Sequence, residues 1–455
     1  MNPQTRKILI IILVVLVICA VIVVGLTVTG VLLLKSSSST NPTAEPPTVA
    51  TEPLSAPQVE ALDPDIAASM DSIQNQVATI RGLDPTSDVP RRLLTTDELT
   101  ETVTTEFFKD YTPEDASRDA EVLSLLGLLP KDFDLLSFYK DLYSEQIAGY
   151  YDDEVKAMFV VKGSGFTGVE RDTYAHEYTH ALQDQHFDFD GALGYTEEAC
   201  QEDSERCAAI QSLIEGDATL TETIWLQTYA TQQDYQDIQN FYQGYQSPVY
   251  DSAPAYMQSD FMFAYMQGGD FVQALYGQGG FAAINDAFTT VQPVSTEQIL
   301  HPSRYPSDLP VPVELPSLAA SLGADWEETE RNVMGEWYTW LILAEGHAAE
   351  SRLLEELVSN ATEGWGGDTY VVLENDQTQE SALLVRYVWD TDADAADALA
   401  AFQDYTSLRF GKPDAGGVMQ GDELFSTLTQ DESGGFTWII AQSQETLAQI
   451  QAALR

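Results

Sequence analysis

Basic residues are scarce. The chain carries 21 Lys and Arg against 72 Asp and Glu, a formal net charge of -51 over 455 residues. Such a surface repels phosphate, which excludes a nucleic-acid partner and disfavours adhesion to anionic lipid headgroups. Cysteine is nearly absent, at three residues. No CxxC spacing occurs, which argues against zinc held by thiolates. Cys19 follows Ile18 rather than the small residue of a lipoprotein signal. Cys200 and Cys207 lie close together in an acidic stretch. They suit a disulfide if the chain folds outside the cytoplasm. No solenoid-type repeat occurs. What is plentiful is apolar matter, 44% of residues with 10% aromatic. That is enough to bury a core, and the length implies two or three domains.

Residues 8–34 form an apolar run without a charge, preceded by Arg6 and Lys7 and followed by Lys35. About 20 apolar residues span a bilayer, so this run is long enough. The positive-inside rule leaves residues 1–7 as a cytoplasmic tail and puts the rest outside. No A-x-A-like cleavage site follows, so the run reads as an uncleaved signal anchor in the cell membrane. Residues 35–57, rich in Ser, Thr and Pro, form a flexible tether.

Beyond the tether the patterning predicts an α+β chain. Residues 58–315 read as a mainly helical domain with a small β-sheet, 316–365 as a helical extension, and 366–455 as a small C-terminal α+β domain. Thr95 with Glu98 makes a capping box, and Thr112-Pro113-Glu114 starts a second helix. Leu135 to Gln146 is amphipathic. The β-prone runs 148–151 and 157–161 flank an acidic turn and read as a hairpin. Helices are expected over about 169–185, 205–230 and 255–290, and two more from about Asp325 to Val358. The tail reads as strands at 370–373, 383–388 and 436–440, with helices at 393–405 and 444–454. It holds no His, Cys or nucleophile constellation and is assigned no chemistry.

The chemistry concentrates in His176-Glu177-Tyr178-Thr179-His180. On a helix, positions four apart lie about 40° round the axis. His176 and His180 therefore share a face and can grip one metal ion, and zinc suits imidazole. Glu177 stands about 100° away, placed to act as general base on water at the metal. A catalytic zinc needs a third protein ligand and an open position. Glu215, beside Gly216 on the next long helix, is the candidate; the glycine would let two helices approach closely. Asp217 is the alternative ligand or a hydrogen-bond partner of a histidine. His186 sits about 80° off the face of His176, where a continuous helix does not deliver it.

HExxH followed on a later helix by a ligand Glu resembles the gluzincin superfamily of zinc peptidases. The EGxA form at 215–218 is similar to that of gluzincin aminopeptidases. It departs from the thermolysin-type pattern, since Thr219 stands where that pattern has Asp. EQIAGYYD (145–152), HEYTHALQDQHF (176–187), EGDA (215–218) and STEQILHPSRY (295–305) also resemble a group of bacterial membrane-anchored gluzincin-like proteins. The resemblance covers roughly residues 90–310. It implies a zincin-like domain with zinc on His176, His180 and Glu215. It also implies an edge strand just before the metal helix that pairs with extended peptide, and 157–161 is in that place.

A peptidase also needs a donor for the developing oxyanion. His301 and Tyr305 are candidates, and Tyr265 is a third. Asp184, one turn past His180, is either a support for that histidine or a solvated carboxylate. The expectation is hydrolysis of a peptide or protein substrate by metal-activated water, with Glu177 as base. The rival is a non-catalytic cell-surface binding protein with a structural or vestigial zinc.

Overall fold

A computed structural model describes residues 62–454 except 110, 164, 432 and 433. The span expected at 8–34 and the tether at 35–57 lie outside the described residues. Among the described residues no helix is long and apolar enough to cross a membrane.

Helix α1 (Pro64–Arg81) starts where Asp63 accepts from the Asp65 amide and ends at Gly82, whose φ of 67° is left-handed. Strand β1 (Arg91–Leu94) follows. The Thr95–Glu98 capping box opens α2 (Thr96–Thr102), and a Thr112–Asp115 box with Pro113 opens α3 (Pro113–Leu125). Helix α4 (Leu135–Gln146) keeps its predicted bounds. Strands β2 (Gly149–Asp152) and β3 (Ala157–Val161) form the expected antiparallel hairpin.

The strand order β1-β3-β2 corrects one expectation. The run 157–161 is the central strand, because β1 pairs parallel along its other side from Arg91↔Met158 to Leu94↔Val161. The outer strand next to the metal helix is β2. That pairing joins segments 67 residues apart, which local patterning does not reveal.

The metal helix α5 (Gly168–Phe187) is buried along nearly its whole length. Short α6 (Glu197–Glu202) leads into the long α7 (Ser204–Tyr229). Cys200 and Cys207 are joined as a disulfide across that junction, with Cα atoms 5.4 Å apart, on helices rather than in a loop. Helices α8 (Gln232–Gly244), α9 (Pro248–Asp251), α10 (Ala255–Gly279), α11 (Phe281–Thr289) and α12 (Thr296–Leu300) complete this part.

After the short α13 (Ala319–Leu322) comes β4 (Trp326–Asn332), a second correction. The stretch from Asp325 was expected to be helical. It opens instead with a strand that pairs antiparallel with β5 (Trp365–Asn375). Its Glu327, Glu328, Glu330 and Arg331 disguise it, and charge is typical of a sheet edge. The helices there are α14 (Gly335–Ala344) and α15 (Glu355–Thr362). The remaining elements are β6 (Ser381–Trp389), α16 (Asp392–Phe410), β7 (Met419–Gly421), β8 (Leu424–Gln430), β9 (Phe436–Ala441) and α17 (Gln444–Ala453). The sheet runs β4-β5-β6-β9-β8-β7, with β7 and β8 beyond the predicted set. One face buries Trp365, Tyr387 and Trp438 with Phe402 and Tyr405 of α16, in a core continuous with the metal helix. The other face packs Val371, Leu373, Leu384 and Ile439 against Leu318, Leu447 and Ile450.

Candidate metal centre

Helix α5 crosses α7, and the repeat of each helix does the rest. His176 and His180 face Glu215: His176 Nε2 is 3.2 Å from Glu215 Oε2, and His180 Nε2 is 3.5 Å from Glu215 Oε1. Ligand atoms of the three residues lie within 4.8 Å of one another. All three are buried, as is Glu177.

The outer nitrogens of the rings are held by acceptors. Gln183 donates its amide to the Ile214 carbonyl at 3.0 Å and to Asp217 Oδ2 at 2.8 Å. Its oxygen therefore turns to His180 Nδ1, 2.9 Å away, and that nitrogen must be the donor. Asp217 is fixed in turn by a buried ion pair with Arg81 at 2.8 Å. His176 Nδ1 meets Glu222 Oε2 at 3.2 Å. His180 thus turns an Nε2 lone pair toward Glu215, while His176 stands between two carboxylates, each 3.2 Å from a ring nitrogen. Burial opposes a second proton on either ring. It pulls His176 well down, helped by neighbouring His180, and takes His180 down to about 4 against the pull of Gln183.

Glu177 completes the convergence. Among the described residues no side chain bonds either of its carboxylate oxygens, and His180 Nε2 and Glu215 Oε1 are likewise without a hydrogen bond. Burial pushes Glu177 well above the usual carboxylate range; the backbone amide of Tyr151 on β2 eases this in part. Glu215 is raised by burial and by Glu177, and the Tyr265 hydroxyl eases it. These are buried acceptors gathered round one point, an arrangement that a cation satisfies and an empty apolar interior does not.

Two glycines permit this geometry. A Cβ on Gly216 would stand 2.1 Å from the Gly268 carbonyl oxygen, and one on Gly268 would stand 2.3 Å from that of Ser212. Helices α7 and α10 therefore touch backbone to backbone. The contact brings Tyr265 of α10 beside Glu215, its ring 6.3 Å from that of His176.

The other candidate residues are placed elsewhere. His301 Nε2 lies 3.0 Å from Glu336 on α14, and the Tyr305 hydroxyl donates to the Val291 carbonyl while its ring packs edge-on against Phe271. Both are engaged away from Glu177, so the structure assembles the triad without them and puts Tyr265 beside it instead. His186 bonds the Asp84 carbonyl, off the metal face as its helical angle requires. Asp184 accepts from the Tyr151 hydroxyl and from Lys156, each at 2.7 Å, and so anchors the hairpin. Asp217 stands behind Gln183, which it joins to Arg81, and is not a ligand in this arrangement. Glu222 escaped the sequence reading; its spacing of two helical turns from Glu215 was the available signal.

Among the described residues a second trio, Glu297, Asp308 and Asp390, has ligand-like spacing. Arg304 already fills it, at 2.6, 3.3 and 3.1 Å.

A family described as "Domain of unknown function (DUF8575)" matches residues 322–451. That stretch begins just before β4 and ends within α17, so it corresponds to the six-stranded sheet and its helices. It leaves out the metal centre. No curated protein and no solved structure matches the chain.

Proposed function

We propose that the chain is a zinc-dependent peptidase, anchored by residues 8–34 and acting outside the membrane. One observation carries the reading. His176, His180 and Glu215 converge in a buried cluster, with Gln183 behind His180 and Glu222 behind His176 at the far ring nitrogens. Two imidazole nitrogens and one carboxylate are the donor set that zinc takes in hydrolases. When bound, zinc supplies a Lewis acid that polarises a carbonyl and acidifies water.

The chain's own residues supply the remainder. Glu177, next to His176 and buried beside Glu215, is the group this reading assigns to take a proton from water and deliver it to the leaving amine. Tyr265, whose phenol already reaches Glu215, is the donor this reading assigns to the oxyanion in place of His301 and Tyr305. Strand β2 is outermost in its sheet, and its Tyr151 amide faces Glu177. An extended peptide pairing there would be held by main-chain bonds, without strong side-chain preference.

Burial favours a second reading, a non-catalytic surface protein with a structural metal. His176, Glu177 and Glu215 have 0% exposure and His180 has 3%. On the catalytic reading the cleft must open for substrate. The two separate on Glu177→Gln. The variant should bind zinc like the wild type and lose cleavage of a mixed peptide library by roughly 10²–10⁴-fold. Wild-type protein that holds stoichiometric zinc yet cleaves nothing would decide for the structural role.

A further inference from the structure

A cavity of about 190 Å³ lies between α3, α4, α7, α10 and α14, on the far side of Tyr265 from the metal triad. His176, Glu177, His180 and Glu215 take no part in its wall. Rings recur round that wall, among them Tyr139, Tyr143, Tyr256, Phe263, Trp337 and Tyr338. No Lys, Arg or His lines it. Its charges are all carboxylates, and each is engaged within the protein. Asp260 accepts from Trp337 Nε1 at 2.9 Å and the Tyr338 hydroxyl at 2.8 Å. Asp119 accepts from Tyr111 at 2.8 Å, Glu330 from Tyr370, and Glu205 from Thr296. None needs a metal, and with no basic side chain in the wall nothing offsets the cost of burying an anion there.

One wall atom is left over. The Tyr256 hydroxyl is buried, with the residue at 2% exposure, and has no hydrogen-bond partner among the described residues. An orphan hydroxyl in an aromatic wall is costly, and a ligand atom that meets it recovers the cost. Size narrows the ligand further. A dry cavity of roughly 150 Å³ takes benzene, so this one holds a single ring with one or two further atoms. Ring faces beside carboxylates also favour a cation over an anion.

From this arrangement we infer that the cavity is a binding site for a neutral or cationic ligand of single-ring size that carries one polar atom to the Tyr256 hydroxyl. It is separate from the metal centre and does not depend on the peptidase reading. Tyr265 lines the cavity and also reaches Glu215, so an occupant would press on the residue that stands beside the triad.

Calorimetric titration of the full chain, in chelator to silence the metal centre, tests this with four probes. Benzyl alcohol and benzylamine should each saturate one site, toluene should bind more weakly, and benzoate at least about tenfold more weakly than the alcohol. Tyr256→Phe should keep toluene and lose the advantage of the alcohol over it, while melting no lower than wild type. Ala208→Phe, which fills the cavity from α7, should abolish binding of all four. Absence of saturable binding, benzoate equal to benzyl alcohol, or a Tyr256→Phe variant less stable than wild type would each overturn the inference; the last would mean that the hydroxyl has a partner.

Discussion

Glu222 stands seven residues beyond Glu215, two turns along α7, and so faces the same side of the helix. Its carboxylate orients the His176 ring through Nδ1. It is buried with Asp172, which burial raises to about 7, and the two share a hydrogen bond. A carboxylate behind a metal-binding imidazole sets its tautomer and raises its basicity. Glu222→Gln keeps the shape and replaces the carboxyl group with an amide. Zinc affinity should fall about 10–100-fold, read by competition with a chromogenic chelator, while Glu177→Gln leaves it unchanged. Equal affinity in both variants would show that Glu222 only fills space.

At the scale of elements, the crossing of α7 and α10 decides whether Tyr265 reaches the triad. Gly268 and Gly269 are neighbours in sequence but not in role. A Cβ on Gly268 meets the Ser212 carbonyl oxygen at 2.3 Å, whereas one on Gly269 meets nothing within 4 Å. Gly268→Ala should force the helices apart, cost about 1–3 kcal/mol, and lower the melting temperature. Gly269→Ala should be neutral or stabilising by up to about 1 kcal/mol, since alanine is the better helix former. Differential scanning calorimetry of the pair separates close packing from ordinary helix propensity. Similar melting of both variants would refute the contact as a constraint.

Over the whole molecule, the loop after α12 ties the helices of the His176–His180–Glu215 cluster to the six-stranded sheet. Arg304 bonds Glu297 on α12, Asp308 in the loop and Asp390 just after β6, and lies 3.7 Å from Glu363. His301 pairs with Glu336 on α14. Burial pulls the His301 imidazole down, but the Glu336 carboxylate outweighs it and the net shift from 6.5 is upward. Glu336 is itself raised from 4.5 by burial, despite His301. Both groups hold protons more tightly when folded, so each adds stability that declines as pH rises. The His301 share is complete below about 6.5 and disappears as pH climbs through its raised value. The stability gap between wild type and His301→Gln in urea melts should therefore be widest near pH 6 and narrow toward pH 9. A gap that widens with pH would reverse the assignment. Taking the difference between the two proteins cancels the other buried carboxylates.

Local rules were enough for much of this. Helical spacing alone put His176 and His180 on one face and His186 off it. Capping residues marked the starts of α2 and α3, and alternation marked the hairpin of β2 and β3. The need for a third ligand singled out Glu215, and its neighbour Gly216 announced the close helix approach. Contacts between distant segments obey no local period, and there the tertiary structure decided. It slid β1 against β3 and so enclosed β3, leaving β2 as an outer strand. It drew the charged β4 into a sheet, set Glu222 behind His176, and chose Tyr265 over His301 and Tyr305 as the phenol beside the triad. The physical reason is the same each time: a side chain's angle on its own helix is fixed by covalent geometry and hydrogen bonding, while its neighbour across a packing interface is fixed only when the whole core closes.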